Sequence, residues 1–173
     1  MPLPPEILPV TVRLTPRDRT APEPASGTSR DTPSDESERC IYIASPVSTY
    51  QSRRYDLMSS RVAQRYPGAT IMVARGMYES SHDWRKKWPE VLPRIDEFVF
   101  FAELDGTVGM GVCKELHDAD MGGIPIWYLH HDGRWFEPDV LEFTITGLSP
   151  AKYAVVELAE DADARTDLSI GGA

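Results

Sequence analysis

Cysteine is scarce in this chain of 173 residues: Cys40 and Cys113 are the only two, and they stand far apart. Neither a disulfide framework nor a paired-cysteine zinc site has the residues it needs. Two free thiols in a reducing compartment are expected. No apolar run approaches the roughly 18 consecutive residues of a membrane span, so that class is excluded. Cations are also short, with 18 Lys and Arg against 27 Asp and Glu and a formal net charge of −9. Affinity for backbone phosphates needs clustered Lys and Arg, so duplex nucleic acid is not an expected partner and a small molecule is. The opening Met1-Pro2-Leu3-Pro4-Pro5 lacks the basic start and apolar stretch of a secretory signal, which predicts a cytoplasmic protein.

Residues 1–38 contain no aromatic side chain and 8 of the 15 prolines, too little apolar surface to offset chain entropy. They read as a disordered leader, apart from Ile7 to Leu14, which suits a short strand placed at an edge because of Pro9. Residues 159–173, acidic and rich in small side chains, read as a flexible tail. Between them, residues 39–158 alternate short apolar runs with amphipathic ones, the signature of βαβ units around a parallel sheet. Strands are expected at Cys40–Ala44, Thr70–Ala74, Glu97–Ala102 and Ile124–Leu129. Helices are expected at 49–66, 83–95 and 111–121, the second despite Pro89 and Pro93. Two further strands, 141–146 and 153–158, flank Gly147-Leu148-Ser149-Pro150 and are expected to extend the sheet at its C-terminal end through a turn.

In an open α/β sheet, ligands bind beyond the carboxyl ends of the strands. The residues at those ends are Ser45 to Tyr50, Arg75 to Tyr78 (with Gly76 between), and Glu103 to Gly111. At about 100° per residue, Val112, Leu116 and Ala119 form one helical stripe with Glu115 roughly 60° from Val112. An acid beside an apolar stripe is partly desolvated, which suits a nucleophile; the alternative is a solvated first-turn acid that favours the helix. Gly106, Gly109 and Gly111 match neither GxGxxG nor GxxxxGK[ST], so they are either a phosphate cradle of another kind or turn residues. Asp105, before Gly106, is either an Asp-Gly turn or the acid that protonates a leaving group. Arg53 and Arg54 are weaker ligand candidates. Trp84 and Trp88, at i and i+4, are a stacking wall or core. His130 and His131 point to opposite sides if the strand continues through them, and no metal or cofactor is expected.

Ile41-Tyr42-Ile43-Ala44-Ser45-Pro46, Ile95 to Ala102, and Gly109-Met110-Gly111-Val112-Cys113-Lys114-Glu115-Leu116 leading into Gly123-Ile124-Pro125-Ile126 together resemble the nucleoside 2-deoxyribosyltransferase-like superfamily, including its nucleotide N-glycosidase branches. The resemblance spans residues 40–129. It implies a flavodoxin-like (Rossmann-like) α/β fold, with a parallel sheet flanked by helices, and cleavage or transfer at the N-glycosidic bond of a nucleoside or nucleotide. It assigns Glu115 as the nucleophile that forms a glycosyl-enzyme, and Ser45 and Tyr50 as substrate contacts. Gly76, Tyr78, Gly109 and Gly111 join them as substrate-binding candidates. Six residues before the nucleophile, transferases tend to carry Asp and nucleotide hydrolases Ser, whereas Gly109 stands here. Proton donation then passes to Asp105 or to Asp83. A homodimer or higher oligomer is implied too. The competing readings are a nucleotide sensor of the same fold that has lost turnover, and an NAD-type glycohydrolase.

Overall fold

The computed structural model of the protein describes residues 10–16, 38–145 and 153–159. Most of the expected leader, the acidic tail and the turn at 147–150 lie outside the described residues. Twelve elements follow along the chain: β1 (Val10–Pro16), β2 (Cys40–Ala44), α1 (Arg53–Arg65), β3 (Thr70–Val73), α2 (Ser81–Val91), β4 (Glu97–Phe100), β5 (Thr107–Gly109), α3 (Met110–Met121), β6 (Ile126–Leu129), β7 (Trp135–Phe136), β8 (Pro138–Ile145) and β9 (Tyr153–Leu158). The architecture is α/β, with two sheets and three helices.

The first sheet has the order β3-β2-β4-β6-β7, its first four strands parallel and β7 antiparallel at the edge. β2 is buried at all five positions, as a strand covered on both faces must be. Strand alternation sorts its side chains. Ile41 and Ile43 join Val99, Phe101, Trp127 and Leu129 under Tyr55, Met58, Val62 and Tyr66 of the α1 side. Tyr42 and Ala44 face the opposite way and join Phe98, Phe100 and Tyr128 against Trp88, Val91, Val112, Cys113 and Leu116. The helices start where their caps dictate: Ser52 accepts the Tyr55 amide for α1, and Ser80 accepts the Asp83 amide for α2. α2 runs through Pro89, which has no amide to give the Arg85 carbonyl, and then tightens into a 3₁₀ turn at Leu92–Arg94.

The second sheet, β5-β9-β1-β8, corrects three sequence expectations. β1 is not an edge strand: it pairs antiparallel with β8 on one side and parallel with β9 on the other. Pairing is described from Val10 onward, and Pro16 falls where the register breaks. Val10, Val12 and Leu14 are buried and alternate with Thr11, Arg13 and Thr15, so residues 10–16 belong to the folded body. β8 and β9 do not pair as neighbours, because β1 lies between them. Finally, the glycine-rich stretch before α3 contains β5, which pairs antiparallel with β9. α3 touches β4 and β6 of one sheet and β5 and β9 of the other, so both sheets position it.

Candidate active site

α3 carries Glu115 on its buried side together with Val112, Cys113, Leu116 and Ala119. The residue is only 3% exposed. Two donors from different elements reach it: the Tyr42 hydroxyl of β2 at 2.8 Å and the Trp84 indole Nε1 of α2 at 2.6 Å. Both end on Oε1, and neither reaches Oε2. No cation pairs with Glu115 among the described residues. Burial pushes its carboxyl up to about 7, against the pull of the Tyr42 and Trp84 hydrogen bonds, and the nearby charge of Asp118 adds to the rise.

A second buried acid shows what a purely structural glutamate looks like in this fold. Glu97, at the start of β4, accepts from the Tyr66 hydroxyl and from Trp127 Nε1, again a tyrosine and a tryptophan on one oxygen, Oε2. Its other oxygen is paired with Arg39. Glu97 is thus neutralised and sealed into the sheet, whereas Glu115 has the same two kinds of donor, no counter-ion, and a cavity in front of it.

That cavity measures about 830 Å³, within the range of small-molecule sites. Its wall includes Ser45, Tyr50, Gly76, Tyr78, Trp84, Arg85, Gly111, Lys114 and Glu115, drawn from the ends of β2 and β3 and from α2 and α3. The Ser45 hydroxyl is buried without a hydrogen-bond partner among the described residues, the condition of a group that a ligand completes. Tyr78 places its hydroxyl 3.4 Å from that of Tyr42, so a chain of polar groups runs from the cavity surface to Glu115. Burial raises the Tyr78 and Tyr50 hydroxyls above their usual range, and the charge of Glu115 adds to both.

Of the eight sequence candidates, Glu115, Ser45, Tyr50, Gly76, Tyr78 and Gly111 line this cavity; Gly109 and Asp105 do not. Gly109 closes β5 and caps α3 in an ordinary extended conformation. Asp105 stays in its own turn, away from the cavity wall, where its Oδ1 accepts the Thr107 amide at 3.0 Å and the Thr107 hydroxyl at 2.7 Å. Asp83 likewise accepts from the Glu79 amide and from Lys87. Gly106 is a turn residue with φ +82°, where a Cβ would come 3.0 Å from the Val156 carbonyl. The Gly106-Gly109-Gly111 stretch is therefore a turn, a strand end and one cavity residue, not a continuous cradle.

Tyr42 and Trp84 are the partners of the acid that sequence reasoning misses. The signal for Tyr42 was present, since alternation in β2 sends it away from Ile41 and Ile43. His130 and His131 correct another expectation: β6 ends at Leu129, the chain turns, and their rings lie 3.9 Å apart instead of on opposite sides. Among the described residues no group of three or more His, Cys, Asp or Glu side chains is arranged to hold a metal ion. No helix among them is long and apolar enough to cross a membrane. No protein-family model matches the chain, and no match to a curated protein was found.

Proposed function

We propose that the protein cleaves or transfers at the N-glycosidic bond of a nucleoside or nucleotide, with Glu115 as the nucleophile. The observation that carries this reading is a buried carboxylate without a counter-ion among the described residues, held at Oε1 by two donors and lining a cavity of substrate size. The strand order β3-β2-β4-β6, all parallel, corresponds to the first four positions of a flavodoxin-like sheet and supports that finer fold assignment.

Oε2 attacks the anomeric carbon, the bond to the base breaks, and its electron pair leaves with the base. An ester joins Glu115 to the sugar. The base takes its proton from Tyr78, the cavity hydroxyl that Tyr42 links to the reacting carboxylate. Esterification neutralises Glu115 and so removes one of the charges that oppose ionisation of Tyr78. Water, or a second base, then displaces the sugar, and its proton returns to Tyr78. Tyr78 thus takes over the donor role that Gly109 has no side chain to fill and that Asp105 is not placed to fill.

Incubation with a panel of deoxynucleosides and their 5′-monophosphates tests this. Free base is released by the wild type, the Tyr78→Phe variant is slower by about 10²-fold, and quenched reactions carry the mass of one sugar on the peptide containing Glu115. Undiminished release by Glu115→Gln removes Glu115 from the mechanism. Saturable binding with no base release from any member of the panel favours the sensor.

A further inference from the structure

We propose that the substrate carries a phosphate and that Arg85 and Lys114 bind it where two cavities meet. This rests on the N-glycosidic reading above and names the substrate class that reading leaves open. A smaller cavity of about 260 Å³ opens between α2 and α3, bordered by Trp88, Pro89, Leu92 and Asp118. Three residues line both cavities: Trp84, Arg85 and Lys114. Two of those three are cations in a chain of net charge −9, so the junction runs against the background of the molecule.

Arg85 is not engaged by the acids of the site, and Lys114 is engaged by one of them, Asp118. Arg85 is exposed and makes no hydrogen bond or ion pair with another described residue. Lys114 donates to both oxygens of Asp118, at 3.2 Å to Oδ1 and 2.9 Å to Oδ2, but Asp118 also accepts Trp88 Nε1 at 2.9 Å and keeps a donor when Lys114 turns to a ligand. Among the described residues Glu115 takes its hydrogen bonds from Tyr42 and Trp84 alone, and Glu79 on the same cavity pairs with neither cation. A guanidinium grips two phosphate oxygens in one plane, and an ammonium adds a point charge. Lys114 directly precedes Glu115 on α3, so a phosphate at the junction keeps the sugar of the same molecule beside the carboxylate.

The experiment compares base release from a deoxynucleoside and from its 5′-monophosphate, in the wild type and in Arg85→Gln. The wild type has at least a tenfold lower KM for the monophosphate. In Arg85→Gln that preference shrinks about tenfold, the size of one charge-assisted hydrogen bond, while kcat for the monophosphate holds. Inorganic phosphate competes with the monophosphate in the wild type and loses most of that effect in the variant. Equal KM values for the two substrates, or a loss in Arg85→Gln shared equally by both, overturns the phosphate subsite and leaves the N-glycosidic reading standing. If neither substrate releases base, the N-glycosidic reading fails instead. Calorimetric titration of the 5′-monophosphate then decides the subsite alone: weaker binding in Arg85→Gln supports it, and unchanged binding overturns it.

Discussion

Trp84 donates its indole N–H to Glu115 at 2.6 Å, and the same pairing recurs one turn further along between Trp88 and Asp118 at 2.9 Å. The two indoles, spaced i and i+4 on α2, lie 6.5 Å apart and nearly parallel, while the two acids are spaced i and i+3 on α3. α2 is therefore fastened to α3 by two parallel donors, and the one nearer the cavity ends on the reacting group. Any change that moves α2 changes the surroundings of Glu115.

The first prediction concerns charge. A carboxyl raised from its ordinary value to about 7 binds its proton more tightly folded than unfolded. Its ionisation therefore lowers stability between roughly pH 4.5 and 7, and the cost, on the order of 3 kcal/mol, is fully present above pH 7. Glu115→Gln keeps an acceptor for Tyr42 and Trp84 and carries no charge. Its melting temperature exceeds that of the wild type at pH 8, and the gap closes towards pH 4.5. A gap that stays constant with pH contradicts this. Base release by the same variant falls on the order of 10³-fold or more.

The second concerns Trp84. Trp84→Phe keeps an aromatic ring on the cavity wall but removes one donor to the ionised carboxylate. Glu115 then ionises at higher pH, and the rising limb of the kcat/KM profile, centred near 7 in the wild type, moves up by about one pH unit. A purely structural role for the indole would lower activity or stability without displacing that limb.

A third test uses Glu97 as a control. Glu97→Ala strands the Tyr66 hydroxyl, the Trp127 N–H and Arg39, and costs roughly 3 kcal/mol in chemical denaturation. Base release per folded molecule stays at the wild-type level, because Glu97 does not line the cavity.

The fourth separates two glycines. Gly109→Ser meets nothing within 4 Å, keeps an unstrained backbone and supplies a side-chain cap to α3, so stability shifts by only a few tenths of a kcal/mol. Gly106→Ala forces φ +82° on an L side chain and presses it against the Val156 carbonyl, at a cost of about 2 kcal/mol. Thermal melts of the two variants that agree would refute the distinction.

Much of the parallel sheet was legible because its strands are short apolar runs buried on both faces, and α3 because its stripe fits a 100° step. The position of Glu115 beside that stripe could be counted on the sequence. Its donors could not be, since Tyr42 lies 73 residues and Trp84 31 residues away, and periodicity reveals which face a residue takes but not its partner. The same limit hid the second sheet. The alternation of Val10, Val12 and Leu14 announces a strand with one buried face, yet nothing in it names β8 and β9 as neighbours. Asp105 does not reach the cavity for a local reason: Asp followed by Gly makes a turn, and the carboxylate stays in it with Oδ1 bonded to Thr107.

The insertion of β1 between β8 and β9 has a bearing on the order of assembly. Val10 pairs with Ile145 and with Ala154, contacts of very long sequence separation, and such pairings form slowly. On the ribosome the parallel sheet and α1 have all their strands before residue 130, but β5, which leads into the helix bearing Glu115, waits for β9, and β9 adjoins β1. The helix bearing the acid thus gains its second supporting sheet only once β1 and β9 have paired.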